Sequence, residues 1–482
     1  MTLATRTLCN ARRLRLLPGT RRLFATTLSP PLAALATRLG RAHPCIPLNA
    51  GGIRVLQAPN DFYAALLAMI RRARSHVFLS SLYMGSGTEE LLASLRAALE
   101  SNRALTVRIH LDLLRSTRPG DTGSIRALAS LSQEFPDRMH VYLFRSPKLK
   151  GTLAKLVPRR FDEGWGTWHA KMYGADDEVM LSGANLSSSY FTNRQDRYIH
   201  LTGAAALVRY CGAFLRVFEQ FSFILRPSPG PDGYEIAWGN ASHNPQHIES
   251  ALRRALLGLQ ASQHSAFAAT DQVTDTLVVP AVQCGYLGIR HEEDSMAALF
   301  DHVAASQSDV DLTSGYFGLY RPYQDLIVNS PSNCRIANGF YGSAGVSGHI
   351  PAGYTLLEQR FWSRVRSSGR AWSGDSGVQL SEWERPGWTY HAKGMWLSPS
   401  STGLPNVSLF GSTNLSSRSA HLDSELSFAL LTENDELRHR LRDELSSIRS
   451  HSLVVDESTW KALSRRVGLT TKLLVALVQD ML

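Results

Sequence analysis

Two tetrapeptides carry the side chains best suited to reaction chemistry: Trp168-His169-Ala170-Lys171 and Tyr390-His391-Ala392-Lys393. In each, a histidine and a lysine stand two residues apart behind an aromatic residue. On an extended strand that spacing puts both side chains on one face. An imidazole beside an ammonium suits attack on a phosphodiester. The ring supplies a nucleophile or a proton, and the lysine holds the anionic oxygens. A lone His-x-Lys is commonly a solvated strand face. Here only seven of the 51 lysines and arginines are lysines, and two of those seven fall in matching triplets. The match continues downstream: Gly183-Ala184-Asn185-Leu186-Ser187-Ser188 follows the first pair, and Gly411-Ser412-Thr413-Asn414-Leu415-Ser416-Ser417 the second. Eleven residues past each asparagine lies an acid, Asp196 in one half and Glu425 in the other.

The elements that must position these residues are also repeated. Asn60-Asp61 is placed to cap a helix over 62–73, and a strand over 77–85 follows. The segment 310–318 matches that strand 233 residues further on and follows an apolar helix near 296–303. The histidines are offset by 222 residues, so the repeat has the size of a domain. Further strands are expected at 105–111 and 140–144, with helices between them, which argues α/β layering. The Pro/Gly-rich run at 226–233 predicts a linker.

The paired motifs resemble the phospholipase D superfamily and its His-x-Lys-x4-Asp signature. The first copy is complete, with His169, Lys171 and Asp176, then Gly183 and Asn185; the second has His391, Lys393, Gly411 and Asn414, but Ser398 replaces the aspartate. The text around both motifs, including residues 181–198, 337–341 and 391–396, resembles the mitochondrial CDP-diacylglycerol–glycerol-3-phosphate 3-phosphatidyltransferases. The resemblance covers most of the chain after about residue 45. It implies an α/β fold of two phospholipase D-like α/β/α domains, related by a pseudo-twofold axis, with the active site at their interface. The expected boundaries are 45–226 and 241–482, joined by a linker at 227–240.

It also implies transfer of a phosphatidyl group from CDP-diacylglycerol to glycerol 3-phosphate through a phosphohistidine. One histidine attacks phosphorus and the other manages protons, with His169 favoured as nucleophile because its motif is complete. Lys171 and Lys393 neutralise the equatorial oxygens, and Asn185 and Asn414 donate hydrogen bonds to them. Asp196 and Glu425 fix the ring tautomers. With Ser398 uncharged, Glu425 is expected to orient His391. Arg194 and Arg197 are candidates for reading cytosine or the acceptor's phosphate. The lysines do the charge work, so no metal and no cofactor is expected. A phospholipase D, cardiolipin synthase or phosphatidylserine synthase would use the same residues, because acceptor choice lives in pocket shape. An inactive lipid-binding scaffold is the reading that Ser398 alone would suggest.

Charge excludes another class. The net charge is +10, but residues 1–60 hold nine arginines and no acid, leaving about +1 over the remaining 422 residues. A nucleic-acid partner is therefore not expected. Residues 1–24, Arg-rich, hydroxyl-bearing and acid-free, have the composition of a mitochondrial transit peptide. The expected location is the matrix side of the inner membrane, with peripheral contact to anionic lipid through the basic segment 145–161. Five scattered cysteines predict free thiols. The Gly/Ser-rich stretch 341–348 lacks the ending of a Walker loop. No apolar run is long enough to span a bilayer, and the tail at 473–478 is either a packed helix or an interfacial one.

Overall fold

Strand His76–Ser80 forms around Val77-Phe78-Leu79, and Ser308–Ser314 around the matching Val310 and Leu312. β-Branched and large apolar residues of this kind suit a buried pleated surface. The structure is a computed structural model that describes residues 27–120, 122–157, 162–268, 274–339 and 349–478. The expected transit peptide, Arg159, Arg160 and the stretch 341–348 lie outside these residues. The helix expected over 62–73 is Pro59–Arg71 and starts three residues earlier. Pro59 starts it, and the Asp61 carboxylate accepts from the Ala58 amide at 3.2 Å, so Asp61 caps from the first turn and not from the cap position.

Two large mixed sheets repeat one strand order. In the first, Met139–Phe144, Thr106–Asp112 and His76–Ser80 run parallel; Met172–Ala175, Glu178–Ser182, Tyr198–Leu201 and Ile53–Leu56 continue antiparallel. In the second, Val378–Trp383, Cys334–Gly339 and Ser308–Ser314 take the parallel places. Gly394–Pro399, Val407–Gly411, Glu425–Thr432 and Thr276–Cys284 take the antiparallel ones. Each His-x-Lys triplet leads into the first antiparallel strand of its sheet, next to the central parallel strand.

Two boundaries differ from the sequence reading. Residues 227–240 are no linker. Strand Tyr234–Trp238 folds back on Phe223–Pro227 as an edge hairpin of the first sheet, its turn closed by Ser228 N donating to Gly233 O at 3.2 Å. Gly233 supplies the positive φ of +76° that the turn needs. The crossing between halves runs instead through helix Glu249–Ala268, which packs on helix Ala205–Glu219. Conversely, the segment before the first domain belongs to the second. Helix Pro30–Leu39 buries Leu32, Leu35 and Leu39 beside helix His291–Ser306, and strand Ile46–Pro47 pairs with Thr276–Cys284.

The halves share one core. Trp168 and Phe214 of the first half lie in the same buried cluster as Trp383, Trp396 and Phe428 of the second. Each such fully buried aromatic contributes about 2–3 kcal/mol relative to exposure. A polar clamp crosses the same seam. Buried Arg197 forks onto Glu444 with two contacts of 2.9 Å, donates to Leu409 O at 2.8 Å and lies 3.7 Å over the Trp396 ring.

Candidate active site

Main-chain pairing across the seam brings the two motifs together. His169 N donates to Ser424 O at 3.0 Å, and Ser424 N donates back to Thr167 O at 2.9 Å. In the mirror-image arrangement His391 N donates to Gln195 O at 2.7 Å, within a short parallel ladder of Thr389–Tyr390 on Arg194–Gln195. Two buried carboxylates fix the first motif further: Asp112 accepts from Trp168 N at 2.9 Å, and Asp423 from Thr167 N at 2.8 Å. Gly315 allows the second motif to sit close, since a Cβ there would lie 2.8 Å from His391 Cα.

Each histidine is thus oriented by the acid of the other half. His169 Nδ1 lies 2.9 Å from Glu425 Oε1, and His391 Nδ1 lies 2.7 Å from Asp196 Oδ2. The expected pairing of Glu425 with His391 is corrected: the strand carrying Glu425 enters beside Trp168, so its carboxylate reaches His169. Burial pushes the Glu425 carboxyl up, but His169, Lys171 and Ser412 outweigh it and pull it down to about 2. Burial raises Asp196 to about 6 despite Lys393 and the Arg197 amide. Both acids are ionised near neutral pH, so each accepts from Nδ1–H and leaves Nε2 for the cleft.

The surroundings of the two rings differ. Burial lowers His391 far below the ordinary imidazole value, helped by Lys393, Arg194 and Lys171. Burial also lowers His169, where Glu425 opposes the shift and Lys171 adds to it. The Tyr190 hydroxyl stands 3.3 Å from His391 Nε2. Its oxygen accepts from Asn185 Nδ2 at 3.0 Å and Arg194 Nη1 at 3.1 Å, so its proton is free to point at that nitrogen. Burial and the other lysine lower Lys171 to about 7, and burial lowers Lys393 to about 8. Lys171 Nζ donates to His169 O at 2.7 Å, and Lys393 Nζ lies 3.0 Å from His391 Nδ1.

Both histidines, Asn185, Asn414 and Arg194 line one cleft of about 310 Å³. Both lysines are buried behind that lining, each beside the histidine of its own motif. The Asn414 Oδ1 atom is buried without a hydrogen-bond partner among the described residues. Two candidates stand elsewhere. Asp176 closes the turn after Met172–Ala175, five residues from Lys171 and beyond a strand of four residues, about 13 Å long. Its carboxylate accepts from Arg74 N at 2.7 Å and from Ser75 N at 2.8 Å. Arg197 is the seam clamp described above. Ser398 lies near the end of strand Gly394–Pro399 opposite Asp309, and Ser400 N closes that end by donating to Gln307 O at 3.1 Å.

Sequence reasoning missed Tyr190, Tyr316, Tyr354, Arg418 and Asp423, which complete the cleft. Two of them had a signal. Tyr316 matches Tyr83 in the repeated strand segments, and Asp423 occupies the place of Arg194, nine residues past the asparagine. Ligand atoms of His169, Asp423 and Glu425 lie within 4.8 Å of one another, a spacing that would suit a divalent ion. Their oxygens are already met by Thr167, Arg418, Ser412 and Ser419. Protein donors therefore fill the places a metal would take.

A duplicated α/β fold that brings one histidine of each half, with its buried lysine beside it, to a shared cleft is the two-domain arrangement that the resemblance to the phospholipase D superfamily implies. The architecture matches the crystal structure of phosphatidylserine synthase from Haemophilus influenzae with a TM-score of 0.68, over 93% of this chain and 98% of that one, at 18% identity. No family model matches the chain. Curated relatives do. The mitochondrial CDP-diacylglycerol–glycerol-3-phosphate 3-phosphatidyltransferase of Mus musculus is 35% identical over 90% of this chain and 84% of its own length. That of Homo sapiens is 34% identical over 90% and 83%. The Schizosaccharomyces pombe enzyme is 31% identical over 87% and 92%. The chain belongs to the CDP-diacylglycerol–glycerol-3-phosphate 3-phosphatidyltransferase family.

Proposed function

We propose that this protein transfers the phosphatidyl group of CDP-diacylglycerol to the hydroxyl of glycerol 3-phosphate, giving phosphatidylglycerophosphate and CMP. The observation that carries this reading is the face-to-face placement of His169 and His391, each tethered through Nδ1 to the other half's carboxylate. In the first step an imidazole Nε2 attacks the phosphorus that bears the diacylglycerol. The N–P bond forms as the P–O bond to CMP breaks. The second histidine, protonated, gives its proton to the leaving oxygen. It then takes the hydroxyl proton of glycerol 3-phosphate as that oxygen attacks, which breaks the N–P bond and restores both rings.

His391 suits the nucleophile's part. Burial, helped by its cationic surroundings, keeps it neutral, and the Tyr190 hydroxyl meets an Nε2 lone pair. His169, beside a carboxylate that stays ionised to about pH 2, suits the acid–base part. The completeness of the first motif no longer argues for His169, since Asp176 serves a turn remote from the rings. Lys171, Lys393 and Arg194 stabilise the phosphoryl oxygens electrostatically.

The relatives are named mitochondrial and no described helix is long and apolar enough to cross a membrane. We place the protein on the matrix side of the inner membrane, bound peripherally. Purified protein given CDP-diacylglycerol should release CMP when glycerol 3-phosphate is added, and not with serine, phosphatidylglycerol or water. Given labelled CMP and no acceptor, it should put label into the lipid nucleotide, and His169→Ala and His391→Ala should each abolish that exchange. Full transfer activity without exchange would refute the two-step path.

A further inference from the structure

Leu463, Leu469, Leu473 and Leu474 are 75%, 73%, 61% and 43% exposed, and with Leu453 and Val454 they make up all but one of the exposed large hydrophobics among the described residues. Leucine normally leaves such exposure to polar residues, so their concentration near the C-terminus is informative. Helix Leu469–Val478 packs on helix His349–Ser367 through buried Thr471 and Val475. Leu469, Leu473 and Ala476 recur at helical spacing on the opposite face, which is solvent-exposed. The approach segment is firmly docked. Gln359 Nε2 donates to Arg465 O at 2.9 Å, Arg465 pairs with Glu382, and Trp460 packs edge-on against Trp362 at 6.1 Å. The apolar face is therefore held out by the fold and is no frayed end.

Two further observations say what covers it. Between Ser458 and Val478 there are four basic residues, Lys461, Arg465, Arg466 and Lys472, and no acid. Only Arg465 is buried; the other three flank the leucines at the surface. Apolar and basic groups together complement an anionic lipid interface. In addition, helix His349–Ser367, on which the leucine helix rests, sends Tyr354 into the catalytic cleft. The apolar face thus lies one helix away from the cleft wall.

We propose that the exposed face of helix Leu469–Val478, with Lys461, Arg466 and Lys472, lies in the interface of an anionic phospholipid bilayer and holds the cleft at the lipid surface. The proposal rests on the lipid substrate inferred above. The test uses the full chain with vesicles of phosphatidylcholine alone or with phosphatidylglycerol, read by flotation, alongside CMP release from CDP-diacylglycerol in detergent micelles. Leu469→Ser, Leu473→Ser and Leu474→Ser combined should weaken vesicle binding about tenfold or more. Lys461→Gln, Arg466→Gln and Lys472→Gln combined should flatten both its salt dependence and its preference for phosphatidylglycerol. Both variants should keep the wild-type unfolding midpoint and the micellar rate. Vesicle binding by the leucine variant equal to wild type would overturn the proposal. So would unchanged vesicle binding with loss of a dimer in sedimentation, which would assign the face to a second copy of the chain. Failure of the wild type to turn over CDP-diacylglycerol in micelles would sink the substrate reading instead, leaving the flotation result to stand by itself.

Discussion

Glu425→Gln tests the crossed pairing directly. The side chain keeps its shape and loses only its charge. In the wild type Oε1 accepts from His169 Nδ1 and from Ser419 Oγ, each at 2.9 Å, while Oε2 accepts from Ser412. A glutamine can keep its oxygen toward His169 and turn its amide toward the Ser412 hydroxyl, so the fold should survive. The carboxyl is drawn from the ordinary 4.5 to about 2 although burial opposes the shift. At about 1.4 kcal/mol per unit, that is roughly 3 kcal/mol of preference for the charged form. Lys171 and Ser412 share in it, so the part that reaches His169 is about 1–3 kcal/mol, or roughly 10- to 100-fold in rate. The loss should fall on kcat, because the carboxylate supports the proton that His169 gives and retakes in the chemical steps and not on binding. The pH optimum should also move down, since His169 without its carboxylate protonates only in more acid solution. Steady-state transfer assays across pH, with CDP-diacylglycerol and glycerol 3-phosphate varied in turn, measure both effects. A variant within about twofold of wild type, or one altered in KM alone, would refute the reasoning.

Other outcomes follow from the same geometry. Asp176→Ala should leave kcat unchanged and lower unfolding stability by about 2–3 kcal/mol in urea titration, since it frees several backbone amides at a positive-φ turn. Tyr190→Phe should slow the CMP exchange about tenfold, because Asn185 and Arg194 lose their acceptor and His391 Nε2 its donor. In the free enzyme Lys171 and Lys393 titrate near 7 and 8, so kcat/KM should fall on the alkaline side of neutrality. The corresponding limb in kcat should lie higher, where bound phosphate stabilises both ammonium groups. Several buried histidines resist protonation in the fold, His43 down to about 3 and His391 strongly. The unfolded chain binds protons there that the fold refuses, so stability should be greatest above pH 6.5 and decline steadily as pH falls through that value.

The repeat was legible in the sequence because both copies of the motif kept their spacing. His169, Lys171, His391, Lys393 and the two asparagines could be found by counting along the chain. The partner of each ring could not. Spacing places Asp196 and Glu425 in equivalent positions, and only the main-chain pairing of Ser424 with Thr167 and His169, and of Gln195 with His391, shows that the acids change sides. The place of Asp176 was hidden for a related reason. Seven residues past the histidine lies beyond the reach of one side chain on a strand, and a motif read as text does not carry that distance. The hairpin at Phe223–Trp238 looked like a linker because its Pro/Gly turn outweighs the short strands flanking it. The cleft aromatics were out of reach because Tyr190 and Tyr354 belong to different halves and line one cleft only where the halves meet.

The N-terminal helix Pro30–Leu39 and strand Ile46–Pro47 belong to the second sheet, while Ile53–Leu56, six residues later, belongs to the first. Ser29 N reaches Glu433, 404 positions away, at 3.1 Å. Vectorial synthesis or passage through a membrane pore, leading end first, would deliver this greasy helix long before its seat exists. The first domain can close its own sheet from residue 53 onward, but the leading segment must wait until strand Thr276–Cys284 has emerged, and its lock at Glu433 until nearly the whole chain has. Docking of helix Pro30–Leu39 therefore requires contacts made late in the chain. Leu32, Leu35 and Leu39, buried in the finished fold, lack their partner surface during this interval.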